Sequence, residues 1–212
     1  MSNDQNPVDI VSSGYDAIGN RYSEWGRTFR DDTRQRYTQV LLDHAARGMH
    51  LLDLGCGNGE PTTKLLSERY RITGVDVSPV QIALAARNIP KGQFICADIG
   101  TIHFPPESFD AISAFYSIIH VPRDEHAALF QRIARWLRPN GVFVACLTAY
   151  DTPADYSNDW LGVPMYWSGF DSEHNRQLIR DAGLTIHSAI EETVNEDGDD
   201  VTFLWVIAAR AR

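Results

Sequence analysis

The chain has 212 residues, 43% hydrophobic and 22% charged, which is room for one α/β domain that folds without a disulfide or metal staple. Nineteen Lys and Arg against 28 Asp and Glu give a formal charge of −9, which argues against a general binder of phosphate backbones. Cys56, Cys96 and Cys146 are far apart, which suits neither a disulfide framework nor a structural zinc site; with no apolar leader and no run of about 18 apolar residues, a cytoplasmic protein is expected.

Residues 8–47 are expected to form a helical prefix, with Tyr15, Tyr22 and Trp25 in its first half. A beat of short apolar runs and helical segments follows. His50–Leu54, Arg71–Asp76, Gln93–Ala97, Phe109–Tyr116 and Val142–Leu147 read as strands. Pro61–Arg69, Pro79–Asn88, Asp124–Leu137 and Ser172–Ala182 read as helices; in the third, Leu129, Ile133 and Leu137 recur every four residues, which is one face packed on a sheet. This alternation predicts an α/β, Rossmann-like doubly wound sheet, mostly parallel, with helices on both faces. Residues 148–170, rich in Pro, Gly and aromatics, break the beat. At the end Leu184–Val194 and Val201–Arg210, joined by an acidic turn at Glu196–Asp200, predict an antiparallel hairpin. Ligands of open sheets bind beyond the carboxyl ends of the strands, so the prefix and the 148–170 insert are both expected as lids.

The chemistry concentrates in Leu51-Leu52-Asp53-Leu54-Gly55-Cys56-Gly57-Asn58-Gly59-Glu60-Pro61, a strand entering a glycine loop and then a helix. A dinucleotide fingerprint would place its third glycine at Glu60, where a carboxylate would face pyrophosphate. Asp53, two residues before the first glycine, puts a second carboxylate at the mouth of the loop, which suits an ammonium or sulfonium group better than a diphosphate. The charge therefore selects S-adenosylmethionine over a dinucleotide. Asp76, in Gly74-Val75-Asp76-Val77-Ser78-Pro79, is sited to accept from both hydroxyls of a ribose; the alternative is a helix cap, for which Ser78 is better placed. Asp98 could accept from an adenine amino group with Ala97 and Ile99 flanking the ring, or simply form the turn before Gly100.

These segments, together with Phe109-Asp110-Ala111 and Leu137-Arg138-Pro139-Asn140-Gly141, resemble the ordered motifs of class I S-adenosylmethionine-dependent methyltransferases of the small-molecule branch, over roughly residues 49–148. The resemblance implies one methyltransferase domain over 1–212 with a seven-stranded sheet, and S-adenosylhomocysteine as product. It implies that Asp53 reaches the methionine ammonium, that Gly55 and Gly57 pack on the methionine backbone with Cys56 between them, and that Asp76, next to Val77, holds the ribose. Asp98 would hold the adenine amine, Phe115, Tyr116 and Ser117 would line the methionine side, and Tyr15 and Tyr22 would close over the cofactor.

Methyl transfer from a sulfonium is an in-line displacement, so the protein mainly aligns the acceptor and excludes water. The candidate base is His120, just beyond the fourth strand, since an imidazole of ordinary pKa near 6.5 suits a protic acceptor. Its alternative is a structural histidine bonded to backbone. His103 and His174 are further candidates, and Tyr150, Trp160, Tyr166 and Trp167 of the insert are expected beside the substrate. No carboxylate ends the fourth strand, as metal-dependent catechol-type enzymes require, and no Asn- or Asp-Pro-Pro-aromatic motif follows it. The expectation is a small-molecule acceptor with no metal, nucleic acid or membrane partner, and oligomeric state is not indicated. A non-catalytic S-adenosylmethionine-binding regulatory module and a nucleotide-dependent oxidoreductase are the competing readings.

Overall fold

A computed structural model describes residues 6–46 and 48–212, the side chains of residues 30 and 31 apart. Residues 1–5 of the expected domain and residue 47 of the expected prefix lie outside the described residues. The elements in chain order are α1 (Pro7–Ile18), α2 (Arg21–His44), β1 (His50–Leu54), α3 (Thr62–Leu66), β2 (Arg71–Asp76), α4 (Pro79–Asn88), β3 (Gln93–Cys96) and β4 (Phe109–Ala114). After two short 3-10 turns come α5 (His126–Trp136), β5 (Leu137–Thr148), β6 (Thr152–Trp160), β7 (Val163–Gly169), α6 (Ser172–Asp181), β8 (Leu184–Glu196) and β9 (Asp199–Arg210).

Local chemistry sets the helix starts. Asn6, Ser78 and Asp171 each accept a backbone N–H of the first turn of α1, α4 and α6, and Pro7 and Pro79 follow with φ already suited to a helix. Seven strands pair in the order β3-β2-β1-β4-β5-β9-β8, all parallel except β9, which runs antiparallel between β5 and β8. Alternate residues of each strand feed opposite faces. Leu52, Ile112, Phe143 and Leu204 pack with Leu129, Phe130 and Ile133 of α5 on one face, while Leu51, Ala111, Val144 and Trp205 pack with Leu66 of α3 and Leu41 of α2 on the other.

Several expectations change. The helix at Pro61–Arg69 shortens to Thr62–Leu66, the fourth strand ends at Ala114, and the fifth already begins at Leu137, which pairs with Phe109. The prefix is not a lid throughout: the second half of α2 belongs to the core, where Tyr37 stacks on Trp205 with ring centroids 4.3 Å apart. The 148–170 insert is an ordered antiparallel hairpin, β6–β7, in a two-stranded sheet of its own that packs on α1 through Val163 and Met165. Among the described residues no helix is long and apolar enough to cross a membrane.

From β1 the chain turns to β2 and β3 on one side, whereas β4 and β5 lie on the other. That reversal opens a crevice beyond the carboxyl ends of β1 and β4, where open α/β sheets bind ligands.

Candidate active site

The glycine loop leaves β1 with Gly55 at φ +75° and Gly57 at φ +53°, both left-handed. The Gly55 and Cys56 N–H groups both donate to the Val75 carbonyl, at 2.7 and 3.0 Å, which locks the loop to β2. Asp76, at the end of β2, accepts from Gly57 N at 2.8 Å on one oxygen and from Ser78 N at 3.0 Å on the other. Burial pushes its carboxyl up to about 6, against the pull of these two N–H donors, and the nearby Asp53 and Asp16 add to the rise. Each oxygen retains a second lone pair.

A cavity of about 80 Å³ opens in the crevice, lined by Gly55 and Gly57, Asp76 and Val77, Asp98 and Ile99, and Phe115 to Ser117 with His120. Val8, Val11 and Tyr15 of α1 roof it, joined by Tyr22 of α2. The roof is pinned to the floor: Asp16 accepts from Ser78 Oγ and Val80 N, Ser12 Oγ donates to the Val77 carbonyl, and Gln81 donates to the carbonyls of Tyr15 and Gly19. A smaller cavity shares the walls Tyr22, Gly55, Gly57 and Phe115 and adds Arg34, Asp53, Cys56 and Thr63.

Asp53 does not stand at the mouth of the loop. It is buried, and its two oxygens accept from Thr63 Oγ1 at 2.5 Å and Ser113 Oγ at 2.8 Å, so it ties β1 to α3 and β4. Desolvation raises its pKa, opposed by these hydroxyls and by the Arg34 charge. Arg34 is 5% exposed, and its guanidinium lies 5.2 Å from the Tyr116 ring centroid. A buried cation and a buried carboxylate thus face one small cavity, an arrangement that matches an amino-acid zwitterion. Arg34 escaped the sequence reading, although Arg34, Tyr37, Thr38 and Leu41 form a buried stripe at helical spacing. Glu60, for its part, turns outward to Arg27 at 2.6 Å and Lys64 at 2.7 Å, so it bears less on ligand charge than the loop pattern implied.

His120 sits in the turn after β4 with both ring nitrogens engaged, Nδ1 at 2.6 Å from the Tyr166 carbonyl and Nε2 at 2.9 Å from Tyr15 Oη. A carbonyl only accepts, so Nδ1 carries the proton and Tyr15 donates to Nε2. Both readings of this residue therefore find a geometric counterpart: it is bonded to backbone, and it lines the cavity.

Of the remaining expected site residues, Asp98 and Ile99 line the cavity, and Asp98 also makes the turn, accepting from Gly100 N at 2.7 Å. Ala97 packs against the core, and Cys56 lines the smaller cavity. Trp160 and Trp167 stand one ring behind Tyr15 and His120, with centroids 6.1 and 6.0 Å away. Tyr166 reaches His120 through its carbonyl while its ring meets Tyr156. Tyr150 is 65% exposed and stands apart from the cavity lining, because it occupies the turn that leads into β6. His103 and His174 are exposed, the latter stacked on Phe170. Asp110, at the start of β4, is spent on Arg138 and on His50 N.

Parallel order reversing at β1, the glycine loop and the strand-end carboxylates are the features of an open α/β fold with a ligand crevice at its strand ends. A family model described as a methyltransferase domain matches residues 51–141. The 27-O-demethylrifamycin SV methyltransferase of Amycolatopsis mediterranei is 32% identical over 205 residues, spanning 84% of this chain and 75% of that enzyme. The trans-aconitate 2-methyltransferase of Escherichia coli is 41% identical over 96 residues, where the match spans 44% of this chain and only 36% of that enzyme. The solved structure of a DhpI complex with S-adenosylhomocysteine superposes with TM-score 0.74 at 21% identity, covering 96% of this chain and 97% of that one. The chain belongs to the class I S-adenosylmethionine-dependent methyltransferases, and S-adenosylmethionine is its methyl donor.

Proposed function

We propose that the protein methylates a hydroxyl group of a small molecule, with Asp76 holding the donor's ribose, Asp98 and Ile99 its adenine, and Arg34 with Asp53 its amino-acid end. The observation that carries the hydroxyl reading is His120, whose Nδ1–H is fixed on the Tyr166 carbonyl so that Nε2 is the proton-accepting face. A hydroxyl must lose its proton as it is methylated, and a neutral imidazole in that tautomer can take it. The rifamycin-pathway relative is named for an oxygen acceptor, in keeping with this. The residues fit the donor. Free lone pairs on Asp76 suit two ribose hydroxyls, Val8, Val11, Val77 and Ile99 suit an apolar base, and opposite charges at Arg34 and Asp53 suit a zwitterion.

When bound, S-adenosylmethionine supplies an electrophilic methyl group. The chain's part is to hold that group against the acceptor, to keep water out beneath α1 and to receive a proton at His120. Isotope-labelled donor tested with phenols, alcohols, amines and thiols is expected to label hydroxyl compounds. Labelling of amines or thiols alone would refute the hydroxyl reading.

Arg34→Met is expected to weaken S-adenosylhomocysteine binding by roughly 10–100-fold, the scale of one lost charge-assisted contact. Adenosine, which lacks the amino-acid end, should bind both proteins alike. Calorimetry with the two ligands checks the assignment, and a parallel loss for adenosine would make Arg34 a fold residue only.

A further inference from the structure

We infer that Tyr15, not His120, is the group that meets the acceptor hydroxyl, and that His120 works behind it as the final proton holder. The inference rests on the hydroxyl reading above and adds a catalytic residue to it. Its basis is occupancy. The imidazole has two nitrogens, and both are engaged within the protein, Nδ1 on the Tyr166 carbonyl and Nε2 on Tyr15 Oη. The ring is 8% exposed, with Tyr15 edge-on at 5.5 Å and Trp167 tilted at 6.0 Å. To receive a proton directly, His120 would have to release Tyr15 and let the acceptor in through that aromatic packing.

Tyr15 is differently placed. It projects from α1 into the roof of the cavity, and its ring is wedged between Tyr22 at 5.3 Å and Trp160 at 6.1 Å, which limits how far the hydroxyl can swing. Its own hydrogen is committed to Nε2, so its oxygen offers lone pairs to a hydroxyl in the cavity. The order from cavity to core is therefore acceptor O–H, Tyr15 Oη, His120 Nε2, and finally Nδ1–H on the Tyr166 carbonyl.

The transfer balances along that line. The acceptor oxygen forms its bond to the methyl carbon as the carbon–sulfur bond of the donor breaks, the sulfur keeps that electron pair and the sulfonium becomes a neutral sulfide. The acceptor proton passes to Tyr15 Oη, and the Tyr15 proton passes to His120 Nε2. The positive charge lost at sulfur reappears on an imidazolium that the Tyr166 carbonyl stabilises, so no net charge is created in the site. Tyr15 ends each cycle as the neutral phenol, and His120 returns its proton to solvent.

The probe is a panel of phenols of graded acidity, from weakly acidic alkylphenols to a nitrophenol that is already ionised near neutral pH, with S-adenosylhomocysteine affinity as the folding control. Tyr15→Phe is expected to lower kcat on alkylphenols on the order of 10²–10⁴-fold, the range of general-base assistance, with a much smaller loss on the nitrophenol. His120→Gln should show the same acidity-graded loss. The double variant should be no slower than the worse single variant, because both residues serve one relay. In the S-adenosylhomocysteine complex, Tyr15→Phe should also shift the ¹⁵N resonance of His120 Nε2 while leaving Nδ1 protonated. Retained kcat in Tyr15→Phe, losses that multiply in the double variant, or an unmoved Nε2 resonance would each overturn the relay while leaving hydroxyl methylation intact. A wild-type protein that labels amines or thiols and neither phenols nor alcohols would overturn the hydroxyl reading and the relay with it.

Discussion

Gly55→Ala is expected to leave a protein that no longer binds S-adenosylmethionine and unfolds about 3 kcal/mol more readily, adding left-handed strain to overpacking. A Cβ there would lie 2.2 Å from Ser117 Cβ and 2.9 Å from Ser117 Oγ. Ser117 cannot step aside cheaply, since its hydroxyl donates to the Leu54 carbonyl at 2.6 Å and it follows Tyr116, itself held at φ +58°. Gly57→Ala is the informative contrast. Its φ is +53°, yet among the described residues the only atom within 4 Å of a Cβ there is Gln81 Oε1 at 3.9 Å, so strain of about 1–2 kcal/mol is the main loss. Thermal unfolding and calorimetry on the two variants separate them: Gly55→Ala should fall steeply in both, Gly57→Ala only by the smaller loss of stability that strain alone causes. Equal melting temperatures for Gly55→Ala and wild type would show that the loop relaxes around the added methyl.

Asp76→Ala is expected to raise the Kd for S-adenosylhomocysteine by about 100-fold or more, since on the proposed assignment it removes two charge-assisted contacts to ribose, and it orphans the Gly57 and Ser78 N–H groups. The pH dependence carries a sign. With the carboxyl raised to about 6 in the folded chain, the unliganded protein is favoured by protonation, and that stability is lost as pH rises through 6. A protonated carboxyl turns one oxygen into a donor, so two ribose hydroxyls favour the ionised form and affinity runs the other way, flat above about pH 7 and falling up to tenfold per unit below 6. Calorimetric titration from pH 5 to 8 reads this directly, and affinity constant across that range would mean that Asp76 stays ionised throughout.

Legibility followed burial. β1, β2 and α4 were read to the residue because buried parallel strands are continuous apolar runs ending in Gly or Asp, and because Ser78-Pro79 announces a helix start. The β6–β7 hairpin was not. Most of β6 is exposed, so it lacks a buried face to impose a two-residue apolar period, and its turn is built on Leu161 and Gly162, both at positive φ. Asn-Gly would have signalled such a turn; Leu-Gly does not. In the site, residues on the strand ends were legible since each closes a strand. Arg34 was hidden by the polar sequence around it, and the pairing of His120 with Tyr15 spans 105 positions, which no local pattern encodes.

Because the strands of the β6–β7 hairpin pair only with each other among the described residues, and the hairpin otherwise rests on α1 and on the turns that carry His120 and Arg123, the walls nearest Tyr15 and His120 belong to a piece outside the ladder of the large sheet. Mutational drift can rewrite Trp160 or Trp167 without disturbing a single inter-strand register elsewhere. On the proposed site assignment, such drift would alter the acceptor side while the strand ends of the large sheet that hold the donor stay as they are.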